Sequence, residues 1–261
     1  MKLSRLILTT ILLITSNSVF AEYLYGFGNI YLDHQSWNHG PSPIQDGQNG
    51  KIRNQLVLGL EGGAGFTWGE LYGFYDRESI EKSSKEQKNS LKGTGHLYLA
   101  DSGVSLYGQL YHHDNPGQSE TNHVVGLGYT SLSGSQWFFK PWIGLHNITS
   151  WDSYSINQNV NGDNGIMAGW SALYGFNLGE QRFSLINWNE IEFNRNDMYA
   201  ENQGGKNGFQ GAVILLWHPT ERVSTGIHYR YFYNKLGVYG SSGGAQQHYG
   251  DALIYRLQYS F

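Results

Sequence analysis

The sequence predicts an all-β chain: a transmembrane antiparallel β-barrel of about 12 strands, with short periplasmic turns and long extracellular loops. Composition is the first observation. Aromatics make up 15% of the 261 residues and glycine 35 of them, yet only 39% are hydrophobic and 15% charged. Disordered chains lack such an aromatic load, whereas a barrel wall with one face on lipid and the other on water has this blend. Period-two alternation is the second observation, and a regular order of long and short connections is the third.

The first 21 residues form a leader. Lys2 and Arg5 supply a short positive region, residues 6–14 are apolar, and Val19-Phe20-Ala21 suits a signal peptidase. Cleavage after Ala21 is expected, leaving residues 22–261 as one barrel domain whose net charge drops from −4 to −6 with the loss of Lys2 and Arg5. The longest apolar run beyond it, residues 212–217, is far short of the roughly 20 residues a spanning helix needs. A bilayer-spanning chain of this kind has to close its strands into a barrel, because lipid satisfies no open backbone groups.

Alternation then locates the strands. Leu56, Leu58 and Leu60 oppose Gln55, Val57, Gly59 and Glu61; Val104, Leu106 and Leu110 oppose Ser105, Tyr107, Gln109 and Tyr111. Trp137, Phe139, Ile143 and Leu145 oppose Phe138, Lys140, Trp142 and His146, with Pro141 predicting a bulge or a break. Residues 166–176 and 183–193 are further strands. The second has no clean phase, since Asn187 and Asn189 share parity with Phe183 and Leu185. Phe209, Val213, Leu215 and Trp217 precede a turn at 218–221, and Val223, Ile227, Tyr229 and Tyr231 alternate with Ser224, His228 and Arg230. The chain closes on Leu253, Tyr255, Leu257, Tyr259 and Phe261, opposed by Ile254, Arg256, Gln258 and Ser260.

Connections are expected to be short near 62–69, 101–103, 131–136, 177–181 and 218–221. Long ones are expected near 33–52, 77–94, 112–122, 147–164, 194–208 and 234–250. Their strict alternation places both ends of the barrel in the periplasm. The charged stretch 81–92 reads as a solvated outer loop.

Composition also restricts function. With 17 basic and 21 acidic residues in no long block of either sign, nucleic acid is not an expected partner. No cysteine is present, which excludes disulfides, thiol chemistry and thiolate metal sites; neither a metal nor a cofactor is expected. Outer-membrane lipids and lipopolysaccharide are expected around the wall, and the barrel-assembly machinery is expected to read the last strand, ending at Phe261.

The polar parity predicts the lumen lining. Tyr72, Phe74, Tyr98, Tyr107, Tyr111, Phe138 and Trp142 are its aromatics; Glu61, Asp76, Lys140, His228, Arg230 and Arg256 are its ionisable groups. Twelve strands enclose a narrow bore. Aromatic planes beside mixed hydrogen-bonding groups suit a small, neutral, flat solute, because stacking on a ring contributes about 1–3 kcal/mol per base. A nucleoside fits, and so does a sugar; the same side chains would also fill a closed lumen.

One hairpin carries a family likeness. Leu58-Gly59-Leu60-Glu61, a glycine-rich turn, and Glu70-Leu71-Tyr72-Gly73-Phe74-Tyr75-Asp76 resemble the early hairpin of the nucleoside-specific channel-forming outer-membrane proteins of Tsx type, with Leu71 in place of the first aromatic. The resemblance implies a barrel of the Gram-negative outer membrane that lets nucleosides diffuse, with Glu61, Tyr72, Phe74 and Asp76 carried over to the lumen. It also admits a general or sugar-type porin, and a phage or surface receptor. A barrel lipid hydrolase is the enzymatic alternative, and His112-His113-Asp114 is its most tempting cluster. Adjacent histidines on a strand point to opposite faces, so a catalytic role is not expected and the chain reads as a non-enzyme.

Overall fold

The computed structural model describes residues 22–44, 53–151, 159–239 and 247–261; residues 1–21, expected to be a leader, lie outside them. Twelve strands are found among the described residues: β1 (Tyr23–Ser36), β2 (Gln55–Phe66), β3 (Gly69–Glu78), β4 (Lys88–Tyr98), β5 (Val104–Asn115), β6 (Gln118–Tyr129), β7 (Trp137–Trp151), β8 (Asn161–Leu178), β9 (Gln181–Phe193), β10 (Gly208–His218), β11 (Val223–Tyr233) and β12 (Tyr249–Ser260). Each pairs antiparallel with its chain neighbours, and β1 closes the ring on β12 from Asn29↔Ser260 to Ser36↔Leu253. Closure leaves no open sheet edge, the condition for residing in lipid.

The outer face is the apolar parity. Leu58, Leu60, Leu106, Leu127, Leu145, Ile227 and Leu257 lie exposed on it. Rings gather near the strand ends: Tyr174–Phe176 and Phe176–Phe183 stack at 5.9 and 5.5 Å toward the periplasm, Phe209–Tyr233 at 5.9 Å toward the outside. An apolar band between aromatic girdles is the outer surface of a membrane barrel. Arg256 faces inward, as its parity predicts, while Tyr255, Leu257 and Tyr259 face out.

Four local expectations need correction. The connection expected to be long at 112–122 is a two-residue tip at Pro116-Gly117 between β5 and β6; proline first and glycine second at φ +90° is the chemistry of a tight reversal. Residue 33 does not begin a loop, since β1 continues to Ser36. Pro141 neither bulges nor breaks β7. Phe139 N–H points away from β8 to the Leu132 carbonyl, and Pro141, two residues on, faces that same side just beyond the end of the β6 pairing at Gly128↔Trp142, so no ladder bond is lost. The irregularity of β7 falls instead between Leu145 and Asn147. Finally, Lys88 and Lys92, read as part of a solvated loop, belong to β4.

Strand β9 shows why its phase was illegible. Asn187 and Asn189 face outward with Leu185. They are tolerated because they bond one another and their neighbours. Trp170 Nε1–H and Asn189 Nδ2–H both donate to Asn187 Oδ1 (2.8 and 3.0 Å), Tyr231 Oη–H donates to Asn189 Oδ1 (2.7 Å), and Asn187 Nδ2–H donates to the Ala212 carbonyl (2.9 Å). In hydrocarbon, a polar side chain needs such partners.

Candidate functional site

The lumen divides along its axis. At the periplasmic end the inner parity of β1 presents Tyr25 and Phe27, 49% and 48% exposed, facing Tyr72 of β3 at 36%. Phe27 and Tyr72 stack with centroids 6.3 Å apart and planes 29° from parallel. The rings of β1 lie flat because β2 offers glycines beneath them. A Cβ at Gly59 would sit 2.2 Å from the Tyr31 ring, one at Gly63 2.7 Å from Phe27, and one at Gly65 2.2 Å from Tyr25. Any larger residue would push those rings into the bore. Tyr25 and Tyr98 donate hydroxyls to Glu70 (3.0 and 3.2 Å), and Tyr72 donates to Glu61 (3.0 Å).

Further in, charged side chains bridge the bore. Lys140 of β7 reaches Glu70 of β3 at 2.5 Å and lies 4.8 Å from the Phe138 ring centre. Lys92 of β4 reaches Glu190 of β9 at 2.6 Å, five strands away around a ring of twelve. Glu190 also accepts from Gln109 (3.0 Å) and Gln210 (2.8 Å). On the β1–β3 and β12 wall, Arg256 grips Asp33 through two bonds of 2.8 Å, lies 3.6 Å over the Tyr31 ring and stands 3.7 Å from Glu61. Tyr31 in turn donates to Asp76 at 2.5 Å.

Tyr107, across from His96 and low on β5, stacks on Trp142 at 4.6 Å in a cluster with Val124 and Met167. The extracellular half is packed. Arg230 sits between the rings of Trp37 and Trp188 (5.6 and 5.5 Å) and donates to Gln210. Helix α1 (Asp197–Gln203) buries Tyr199, Ala200 and Gln203. Tyr199 packs on Ile148 and Val160 and donates to Glu120 of the inner wall. Arg195, fully buried, binds Glu192 at 2.5 Å and the Asn234 carbonyl at 2.6 Å, and Lys235 also pairs with Glu192. Trp37, Ile44 and Val238 close over Phe232 and Ala252 from the first and last loops. Among the described residues, three loop segments thus fold inward at the mouth.

Every residue read from the polar parity therefore faces the lumen, Phe74 and Tyr111 on the register that flanks Lys92. They do not form one site. Tyr72, Tyr98, Phe138, Lys140, Glu61 and Glu70 belong to the periplasmic vestibule; Tyr107 and Trp142 stack on each other, buried beside it, and Arg230 is packed toward the mouth. The reading missed Tyr31 and Phe27, on a first strand whose alternation it did not trace, and Asp33, assigned to a loop. It also missed Lys92 and Glu190, whose pairing spans the barrel and leaves no trace in local sequence. His112 and His113 do face opposite ways, His112 to Thr121 and His113 to Glu78.

The family model of the nucleoside-specific channel-forming protein, Tsx, matches residues 30–261. The chain belongs to that family. It is an outer-membrane channel of the nucleoside-specific class, and not an enzyme family. Among solved structures, the NanC porin is similar at 12% identity, covering 90% of this chain and 98% of that one with a TM-score of 0.47. The KdgM porin, solved with disordered oligogalacturonate, is similar at 8% identity, 91% and 98% coverage, and a TM-score of 0.44. The outer-membrane channel DcaP of Acinetobacter baumannii is similar at 9% identity, 91% and 96% coverage, and a TM-score of 0.41. At such identities the likeness concerns the barrel architecture alone.

Proposed function

We propose that this chain passes nucleosides by diffusion, with the base stacking in the periplasmic vestibule on Phe27 and Tyr72 and the sugar hydroxyls meeting Glu61 and Glu70. One observation carries the reading: these two stacked rings keep much of their surface open, while five lumen cations are already engaged. Arg256, Lys140, Lys92, Lys235 and Arg195 each have a carboxylate partner. An ionised solute has to break such pairs to find a counter-charge, whereas a neutral one with a flat face and hydroxyls does not. A passage site must also bind weakly enough to release, and a few stacking and hydrogen-bond contacts supply about the −4 kcal/mol of a millimolar site.

Export by a leader cleaved after Ala21, insertion through recognition of the strand ending at Phe261, and a surround of lipopolysaccharide complete the proposal. The outward Tyr255, Leu257, Tyr259 and Phe261 support the second of these, since together they form an exposed apolar edge to the last strand. Swelling of liposomes holding the mature protein tests the solute. Nucleosides should enter faster than hexoses or amino acids of similar size; equal rates for all three would replace the selective channel with a general pore.

A further inference from the structure

Two grooves on the lipid-facing side of the wall, one toward each end of the strands, differ in chemistry. The groove toward the periplasm, 280 Å³, is walled by Trp68, Leu71, Leu97 and Leu106 over a floor that includes Gly95 and Gly108. The groove toward the outside, 340 Å³, has a wall of Ile191, Phe209 and Tyr233 beneath a polar rim of Lys206, Asn207 and Asn234. An acyl chain fits against either wall. Only the second offers a headgroup a cation and an amide at the level where the apolar band ends.

The outer groove is preformed. Ile191, Phe209 and Tyr233 stand abreast on β9, β10 and β11, so the wall is about 10 Å across, enough for more than one acyl chain. Phe209 stacks on Tyr233 at 5.9 Å, and Tyr233 on His248 at 5.6 Å. At the rim, Asn234 Nδ2–H donates to the Asn207 carbonyl (3.0 Å), and Asn207 Oδ1 accepts from the Asn194 N–H (3.3 Å). These bonds fix the Asn207 side chain and leave its own amide N–H groups without a partner among the described residues. Lys206 donates to the Arg195 carbonyl (3.0 Å) and pairs with Asp197. That pair differs from those of the lumen: Lys206 is 53% exposed and Asp197 89%. An exposed ion pair contributes little, so it yields to an anion held by further contacts.

We propose that this groove seats one phosphorylated, multiply acylated glycolipid of the lipopolysaccharide type, with a phosphate on Lys206 and Asn207 and acyl chains along Phe209 and Ile191. The assignment rests on the lipopolysaccharide surround proposed above and deepens it from a general solvent to a bound partner. Charge complementarity selects the occupant: the groove at the periplasmic end presents apolar side chains to the lipid, whereas the rim facing the outer leaflet supplies a donor pair for a phosphate. Seated there, the lipid also bears on Lys206, whose bond to the Arg195 carbonyl ties the rim to the ion pairs of the mouth.

Native mass spectrometry of the full mature protein, delipidated in detergent, tests the seat by titration with bisphosphorylated lipid A, dephosphorylated lipid A or phosphatidylglycerol. The wild type should retain one bisphosphorylated lipid A in preference to the other two. Lys206→Gln and Asn207→Asp should each raise the half-saturating concentration about tenfold, and Phe209→Ala several-fold. Leu106→Ala, in the other groove, should leave it unchanged. Asn207→Asp keeps the acceptor for the Asn194 N–H and adds only a negative charge, so heat-modifiable migration of the folded barrel should be retained. Unchanged retention in the folded Lys206 and Asn207 variants, or equal retention of phosphatidylglycerol by the wild type, overturns the seat and leaves the general surround standing. A wild type that retains no lipid A of either form overturns both.

Discussion

At the periplasmic end of the lumen Tyr25 and Phe27 leave about half their surface open, whereas at the extracellular end Tyr199 and Phe232 are 1% and 0% exposed. Both ends draw on the same inventory of rings and ion pairs. Backbone packing separates them: in the vestibule, glycines of β2 let rings lie flat against the wall, while at the mouth loop residues fold back and seat their side chains between the strands. A flat ring over glycine leaves an open bore and a free face. A ring wedged between wall and loop narrows the bore. The vestibule is thus built for stacking a transient solute, and the mouth for holding loop chain in place.

That contrast makes Arg195 the most consequential side chain at the mouth. Its replacement by alanine leaves Glu192 buried with one cation fewer and frees the Asn234 carbonyl, so it should lower stability by about 3–5 kcal/mol. Urea unfolding in detergent micelles measures this, and a loss below about 1 kcal/mol would mean the mouth is not pinned there. Removing the bridge halfway along is expected to act on conductance instead. The double variant Lys92→Met, Glu190→Met deletes both charges that span the bore, and its single-channel current in potassium chloride should rise several-fold while the barrel stays folded. An unchanged current would locate the narrowest section elsewhere.

At the vestibule the expected effect is on solute rather than on ions. Phe27→Ala or Tyr72→Ala should weaken nucleoside block about tenfold, with the ionic current kept or slightly raised, since stacking contributes about 1–3 kcal/mol per base. Gly63→Val offers the converse: its side chain displaces Phe27 from the wall, and both current and block should fall. The smallest effect belongs to the lipid face. Asn187→Ala leaves the Trp170 and Asn189 donors without their shared acceptor, for a loss of about 1 kcal/mol in the same unfolding assay.

Particular residues show how far the sequence could be read. Arg256 is legible because Tyr255 and Leu257 beside it share the opposite face, and no charge is stable in mid-bilayer without about 2–4 kcal/mol of penalty. Asn187 and Asn189 obscure β9 because their polarity is neutralised by Trp170 and Tyr231 on other strands, partners that alternation cannot name. The tip at Pro116-Gly117 carried a readable turn signal, hidden by the polar residues of the two strands that lead into it. Lys92 looked like a loop lysine because its counter-ion, Glu190, lies nearly a hundred residues on.

Alternation and connection lengths by themselves determine a barrel of this size, its facing along most strands and the residue types that border its bore, because a pleated strand between lipid and water enforces period two locally. Only the closed tertiary structure decides which of those groups neutralise one another across the bore, which rings stay free, and which loop residues fold onto the mouth. These depend on contacts between strands four or five places apart around the ring, and curvature, not sequence neighbourhood, brings such strands within reach.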